Sequence, residues 1–204
     1  MLNQIPEKEL KILKKLNSPV KIQDFLDQMP INFEPEGDTC YSPMTVLKKK
    51  KCHCIEAAVL AALALRLAGQ EPLLLDLTAN KNDYDHVVTL FKKYGKWGAI
   101  SKTNHMALRY REPIYNSIRE LAISYFHEYL DDLGGKNLRS YSSPVNLKKF
   151  DKLGWMTTED DIFYIAQYLA EIKHFPLLNR RQIRGLRPAD PFEIKMGIVE
   201  EWKN

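Results

Sequence analysis

A cysteine stands at the start of the most apolar segment of the sequence. Cys54 directly precedes a run rich in alanine and leucine that ends at Gly69. Both residue types are strong helix formers, so the run predicts a buried helix that begins near Cys54. The unpaired N–H groups and the dipole at a helix N-terminus stabilise a thiolate. Cys54 is therefore a candidate nucleophile with a lowered pKa.

A thiolate nucleophile needs an imidazole partner for proton transfer, and His86 is the candidate. His86 lies in Asp85-His86-Val87-Val88, which has the pattern of a strand. The separation from Cys54 is 86 − 54 = 32 residues. This interval holds the rest of the helix, a turn and one strand, so the chain has room to return His86 to the helix start.

The elements around these two residues predict an α+β fold. Strands are predicted at residues 72–77, 85–91 and 97–101, with Tyr94-Gly95 as a hairpin turn. Two short helices precede a long loop at residues 30–51, and further helices are predicted at 113–130 and 157–173. We expect the cysteine-bearing helix to pack on a small antiparallel sheet, with extra N- and C-terminal helices.

Several motifs occur along the chain in an order that is typical of one enzyme family. They are Cys54-Ile55-Glu56 opening the helix, Arg66-Leu-Ala-Gly69 closing it, Asp85-His86-Val87-Val88, and Gly95-Lys96-Trp97-Gly-Ala-Ile-Ser101. This arrangement resembles the core of the transglutaminase-like superfamily of papain-like cysteine enzymes. The resemblance covers residues 38–110. The chain length and the lack of a Gly/Ser-rich linker predict a single domain over residues 1–204, in which residues 1–37 and 111–204 are helical additions to this core.

The resemblance also implies roles for three residues. Cys54 would be the nucleophile and His86 its base, while Ser101 occupies the position of the aspartate that orients the histidine in the family. A carboxylate fixes the tautomer and stabilises the imidazolium, whereas a serine hydroxyl brings no charge. Asn104 is a second residue that could replace the carboxylate.

The resemblance and the serine at position 101 lead to two candidate functions. The first is a cysteine-dependent hydrolase, a protease among them, or an acyltransferase that acts on an amide or peptide bond. The second is a catalytically degenerate relative that binds peptides or proteins in the same cleft. Hydrolysis and transfer are not distinguished by the sequence.

Two further interpretations of the cysteines remain open. Free cysteine is often buried, so Cys54 could be a small apolar residue of a buried helix. Cys40, Cys52, His53 and Cys54 with His86 are ligand types that suit zinc, but Cys-x-Cys is tighter than the usual zinc-knuckle spacing. We therefore expect neither a metal nor another cofactor.

Composition and charge restrict the compartment and the partners. The 204 residues include three cysteines, an odd and sparse set that argues against a disulfide framework and favours the reducing cytoplasm. The first residues lack the pattern of a secretory signal, and the apolar segment is too short to span a membrane. The net charge of +4 and the two basic clusters, without a recognisable motif, make nucleic acid an unlikely partner. A peptide or protein substrate is expected, and the oligomeric state is not indicated.

Overall fold

Residues 4–203 form eight α-helices and one seven-stranded sheet, as a computed structural model shows. The helices are α1 (Glu7–Lys15), α2 (Pro19–Asp27), α3 (Pro43–Lys49), α4 (Cys54–Leu67), α5 (Ile118–Ser124), α6 (Phe163–Glu171), α7 (Arg180–Arg184) and α8 (Pro191–Gly197). The strands are β1 (Leu73–Ala79), β2 (His86–Lys93), β3 (Lys96–Ile100), β4 (Arg111–Tyr115), β5 (Leu138–Ser142), β6 (Val145–Asn146) and β7 (His174–Pro176).

The sheet is antiparallel at every strand pairing of the described residues. Its strand order is β4-β3-β2-β1-β5-β7, and β6 pairs with β1 beside β5. Leu75 of β1 lies opposite Val88 of β2, and Leu90 of β2 lies opposite Ala99 of β3. The sequential strands β1, β2, β3 and β4 are therefore neighbours, which keeps residues at their ends close in space.

Apolar side chains cover both faces of this sheet. Val87 and Phe91 of β2 join the cluster that contains α4, whereas Val88 and Leu90 join a second cluster that contains α5. Successive side chains of a strand point to opposite faces, so α4 and α5 lie on opposite sides of the sheet. Both faces of β2 are thus buried.

Helix α4 is buried along almost its whole length. Every residue from Ile55 to Leu65 is buried, which explains why the segment has no polar face. The Thr89 hydroxyl of β2 donates a hydrogen bond to the Ala58 carbonyl at 2.6 Å. This bond joins the first turns of α4 to the sheet close to the start of β2.

The helix begins where the sequence predicts and the α+β class is confirmed, but the C-terminal part differs from the prediction. Residues 111–204 are not purely helical, because they contribute β4, β5, β6 and β7 to the sheet. The helix predicted at 113–130 is shorter in the structure, where only Ile118–Ser124 is α-helical, because Pro113 lies inside β4, an edge strand where a missing N–H is tolerated. Helix α5 starts only after Ser117, whose hydroxyl accepts from the N–H of Glu120.

Among the described residues, no helix combines the length and apolar character required to cross a membrane.

Candidate active site

Cys54 is the first residue of α4 and lines a cavity of about 570 Å³. His53 precedes it as the N-cap residue and His86 lies at the first position of β2, and both line the same cavity. The thiol is only partly buried, unlike those of Cys40 and Cys52. The predicted nucleophile and the predicted base are therefore brought together in one accessible cleft.

The tautomer of His86 is set by Ser101, the residue that directly follows β3. Nε2 of His86 lies 2.7 Å from Oγ of Ser101. The Ser101 hydroxyl donates its single hydrogen to the carbonyl of Leu108, so Oγ must accept from Nε2–H of His86. Nδ1 of His86 then carries the lone pair and is the nitrogen available to the thiol.

The acceptor carbonyl of Leu108 is itself held in place by an unusual backbone conformation. Leu108 has φ = 59°, in the left-handed region that residues with a side chain rarely adopt. Its N–H donates to Oε2 of Glu128 at 2.9 Å, and Arg111 donates to the same oxygen at 2.6 Å. An ion pair thus fixes the turn that orients Ser101.

Helix α2 fixes the backbone of Ser101 from the other side. The buried amide of Gln23 accepts from the N–H of Ser101 at 3.0 Å and donates to its carbonyl at 2.8 Å. Both backbone groups of Ser101 are therefore paired by one side chain. Gln23 is a positioning residue that places the hydroxyl beside His86.

His53 is a second imidazole at the thiol. Its Nε2 lies 3.0 Å from the carbonyl oxygen of Thr39 and 3.4 Å from carboxylate oxygens of both Glu34 and Glu56. A carbonyl only accepts, so Nε2 of His53 carries a hydrogen. The Thr39 carbonyl therefore fixes the orientation of this ring next to Cys54.

Glu56 connects the helix start to the loop before it. Its carboxylate is completely buried and accepts hydrogen bonds from the N–H groups of His53 at 3.0 Å and Tyr41 at 3.1 Å. The hydroxyl of Thr39 donates to it at 2.8 Å, and the amide of Asn32 donates at 3.3 Å. The predicted loop at residues 30–51 therefore supplies groups that face the site, although α3 forms within that range.

The ionisation of Cys54 differs from that of the other two thiols. Burial raises the pKa of Cys54, but interactions with the side chains of His53 and His86 outweigh burial and lower the pKa from 9.0 to about 5. Burial raises the pKa of Cys52 to about 12 and also raises the pKa of Cys40. Near neutral pH, Cys54 is therefore the thiolate and the other two are thiols.

The pKa of His53 moves in the complementary direction. Burial lowers it, but the hydrogen bond and charge of Cys54 and the charge of Glu56 raise it from 6.5 to about 9. The two shifts describe the same event, in which a proton leaves sulfur and is held by an imidazole. A thiolate with an adjacent imidazolium is a nucleophile suited to acyl transfer.

The structure does not place Asn104 at His86. The Asn104 side chain accepts from the N–H of Trp202 at 2.9 Å and donates to its carbonyl at 3.0 Å. Asn104 therefore joins the cleft-lining loop after β3 to the segment following α8. Of the two residues considered as a replacement for the carboxylate, Ser101 is the one in contact with the imidazole.

Within residues 4–203, no group of three or more histidine, cysteine, aspartate or glutamate side chains is arranged to hold a metal ion. Comparisons with models of known protein families and with curated protein sequences find no match to this chain.

His53, Glu56 and Gln23 belong to this geometry but were not predicted as site residues. A glutamate three positions after an N-cap is a known helix-start signal, so Glu56 had a recognisable signature. His53 had the weaker signal of adjacency to Cys54. Gln23 had none, because its partner Ser101 lies 78 residues away in the sequence.

Proposed function

We propose that this chain is a cysteine-dependent hydrolase or acyltransferase that acts on an amide or peptide bond. Cys54 is the nucleophile, His86 is the base, and Ser101 orients His86. The observation that carries the proposal is the thiol at the start of α4, whose pKa is lowered to about 5 by two imidazoles in an open cavity. The resemblance of residues 38–110 to the transglutaminase-like core supports the same chemistry.

The reaction begins with attack of the Cys54 thiolate on the substrate carbonyl. The first N–H groups of a helix have no partner within the helix, so the backbone N–H of Cys54 is placed to stabilise the oxyanion. Collapse of the tetrahedral intermediate breaks the C–N bond, and an imidazolium at the site protonates the leaving amine. A thioester on Cys54 remains.

The second half of the reaction uses His86 as the base. Nδ1 of His86 takes a proton from water or from an acceptor amine, which then attacks the thioester. The C–S bond breaks and the thiolate is restored. Water yields hydrolysis and an amine yields transfer, and a peptide or protein is the proposed substrate. Free thiols at three positions fit a reducing compartment, so we place the enzyme in the cytoplasm.

Both reactions are testable with one peptide mixture, a digest of casein. Amine release reports hydrolysis, and incorporation of dansylcadaverine reports transfer. We expect one or both in the unmodified protein and neither in Cys54→Ser or His86→Gln. His127→Gln is a matched control, because His127 packs on Phe126 and does not line the cavity. Equal signals in the unmodified protein and Cys54→Ser would show that the protein is not this enzyme. Saturable binding of the peptides would then support the degenerate binding module.

A further inference from the structure

Two imidazoles flank a single thiol, and the groups behind them differ in charge. Behind His86 stand the hydroxyl of Ser101 and then the carbonyl of Leu108, which are dipoles without net charge. Behind His53 stand the carbonyl of Thr39 and two carboxylates, those of Glu34 and Glu56. Nearby carboxylates favour the charged form of an imidazole, whereas a hydroxyl only orients it.

The two carboxylates are held against His53 by the surrounding chain. Glu56 is fixed by the hydrogen bonds that start α4, and its side chain is fully buried. Glu34 is in the left-handed conformation, with φ = 52°, and its Oε1 accepts from the N–H of Thr39 at 2.6 Å. One loop therefore presents Glu34 and the Thr39 carbonyl together to the same nitrogen of His53.

The other titratable groups that face the thiol come from several elements. Cys40 of the loop, Cys52 before α4 and Tyr129 after α5 all have pKa values raised by burial, so all three are neutral near pH 7. Lys102, Asp83 and Asp85 also line the cavity. Among the described residues, the carboxylates that lie within 3.4 Å of an imidazole at the thiol are those of Glu34 and Glu56, and both face His53, so they attract a proton to it.

We propose that His53 is a second catalytic histidine, which holds the proton removed from Cys54 and gives it to the leaving amine, whereas His86 is the base of the second half of the reaction. The inference rests on the proposed function and deepens it by assigning the acid and the base to different residues. Two carboxylates lie behind His53, whereas a hydroxyl lies behind His86. His53 and Cys54 are adjacent at the start of α4 and both line the cavity, and the His53 side chain is 20% exposed.

The proton balance of this assignment closes over one turnover. The proton of the Cys54 thiol lies on Nδ1 of His53 when sulfur attacks and the C–S bond forms. His53 gives that proton to the leaving amine as the C–N bond breaks. His86 then takes a proton from water as the new C–O bond forms and the C–S electrons return to sulfur. The proton on His86 passes to His53 across the Cys54 sulfur, which restores the resting pair.

The pH dependence of alkylation at Cys54 tests the assignment without a substrate. Iodoacetamide labelling of the Cys54 peptide is followed by mass spectrometry from pH 4 to 10, in the unmodified protein, His53→Gln, His86→Gln and the control His127→Gln. We expect a midpoint near pH 5 in the unmodified protein and the control. In His53→Gln the midpoint rises by at least one unit, which lowers the rate at pH 4 about tenfold, and in His86→Gln it rises less. An equal or larger rise in His86→Gln would overturn the proposal.

A second test uses only the unmodified protein, so its result does not depend on whether the variants fold. Side-chain ¹⁵N NMR at pH 7 distinguishes a doubly protonated imidazole from a neutral one. We expect protons on both nitrogens of His53. A doubly protonated His86 beside a neutral His53 would reverse the assignment.

Different experimental results would contradict the role of His53 and the proposed function. If the alkylation and NMR results are as expected but no amide is cleaved or transferred, the function is wrong and the ion pair stands. If casein peptides are turned over but His53→Gln leaves both the alkylation midpoint and the pH profile of turnover unchanged, the role of His53 is wrong and the function stands.

Discussion

Nε2 of His86 donates a hydrogen bond to the hydroxyl of Ser101, because that hydroxyl donates its only hydrogen to the Leu108 carbonyl. The hydroxyl thereby selects the tautomer that turns the lone pair of Nδ1 toward Cys54. A carboxylate would select the same tautomer and would add a negative charge. Ser101 therefore retains the orienting part of the role and lacks the electrostatic part.

Replacing Ser101 with alanine should lower turnover more than substrate binding. In Ser101→Ala the Nε2–H of His86 loses its acceptor, and a lost hydrogen bond of about 1–3 kcal/mol corresponds to a fall in kcat of roughly ten- to hundredfold. Steady-state kinetics with a casein peptide should show little change in KM. The control Ser143→Ala lies outside the cavity and should keep its kcat. An unchanged kcat in Ser101→Ala would mean that the hydroxyl does not orient His86.

The pH profile of turnover should be bell-shaped. Cys54 has a pKa lowered to about 5, so the thiolate is lost as the pH falls through that value. His53 has a pKa raised to about 9, so the imidazolium is lost as the pH rises through that value. We expect kcat/KM to have limbs near pH 5 and pH 9 and a plateau between them. A single rising limb near pH 9 would indicate an ordinary thiol and contradict both shifts.

Removing the Gln23 amide should affect the site, although Gln23 lies 78 residues from Ser101 in the sequence. Gln23→Met keeps the length of the side chain but leaves the N–H and carbonyl of Ser101 without partners, which costs roughly 1–3 kcal/mol for each buried group. We expect a lower free energy of urea unfolding and a lower kcat. Gln167→Met is the control, because Gln167 pairs only with Glu171 on an exposed helix face. Full activity in Gln23→Met would show that Ser101 is held by the strand alone.

Much of this arrangement could be predicted from local patterns. The alanine and leucine run places Cys54 at the start of α4, and the β-branched residues Val87 and Val88 place His86 on β2. Both are signals within one element, where periodicity and helix-start chemistry act. The cleft requires only that these two elements pack together.

The rest of the site and of the sheet depends on contacts between residues distant in the sequence, and such contacts leave no local sequence pattern. Asn104 and Ser101 are both polar residues after β3, and only the packing of the chain decides which one meets His86. The short strands β6 and β7 have two and three residues, too few for an alternating pattern to appear. Their position depends on pairing with β1 and β5, which the sequence does not reveal locally.

Glu56 should be important for stability as well as for the site. Glu56→Gln replaces one acceptor oxygen with an NH₂ donor in a buried pocket where every partner is a donor, and we expect a loss of roughly 2–3 kcal/mol. Urea unfolding at pH 7 measures it. The control Glu7→Gln breaks an exposed pair with Lys11 and should cost less than about 0.5 kcal/mol. Equal losses in the two variants would contradict the assigned network.

The ion pair at the far end of α4 should stabilise the fold without changing the chemistry. Arg66 binds Asp151 through two bonds of 2.5 and 2.7 Å, about 18 Å along the helix from Cys54. Arg66 lowers the pKa of Asp151, so the stabilisation is complete above the unfolded pKa, about 3.9, and is lost as the pH falls through the lower folded value. Asp151→Asn should therefore reduce the free energy of urea unfolding by about 1.5–3 kcal/mol at pH 7 and by less below pH 4. Glu159→Gln, which breaks an exposed pair with Lys48, should show almost no loss. The alkylation midpoint of Cys54 should stay near pH 5 in both variants, and a shift in Asp151→Asn would show that this end of the helix is coupled to the thiol.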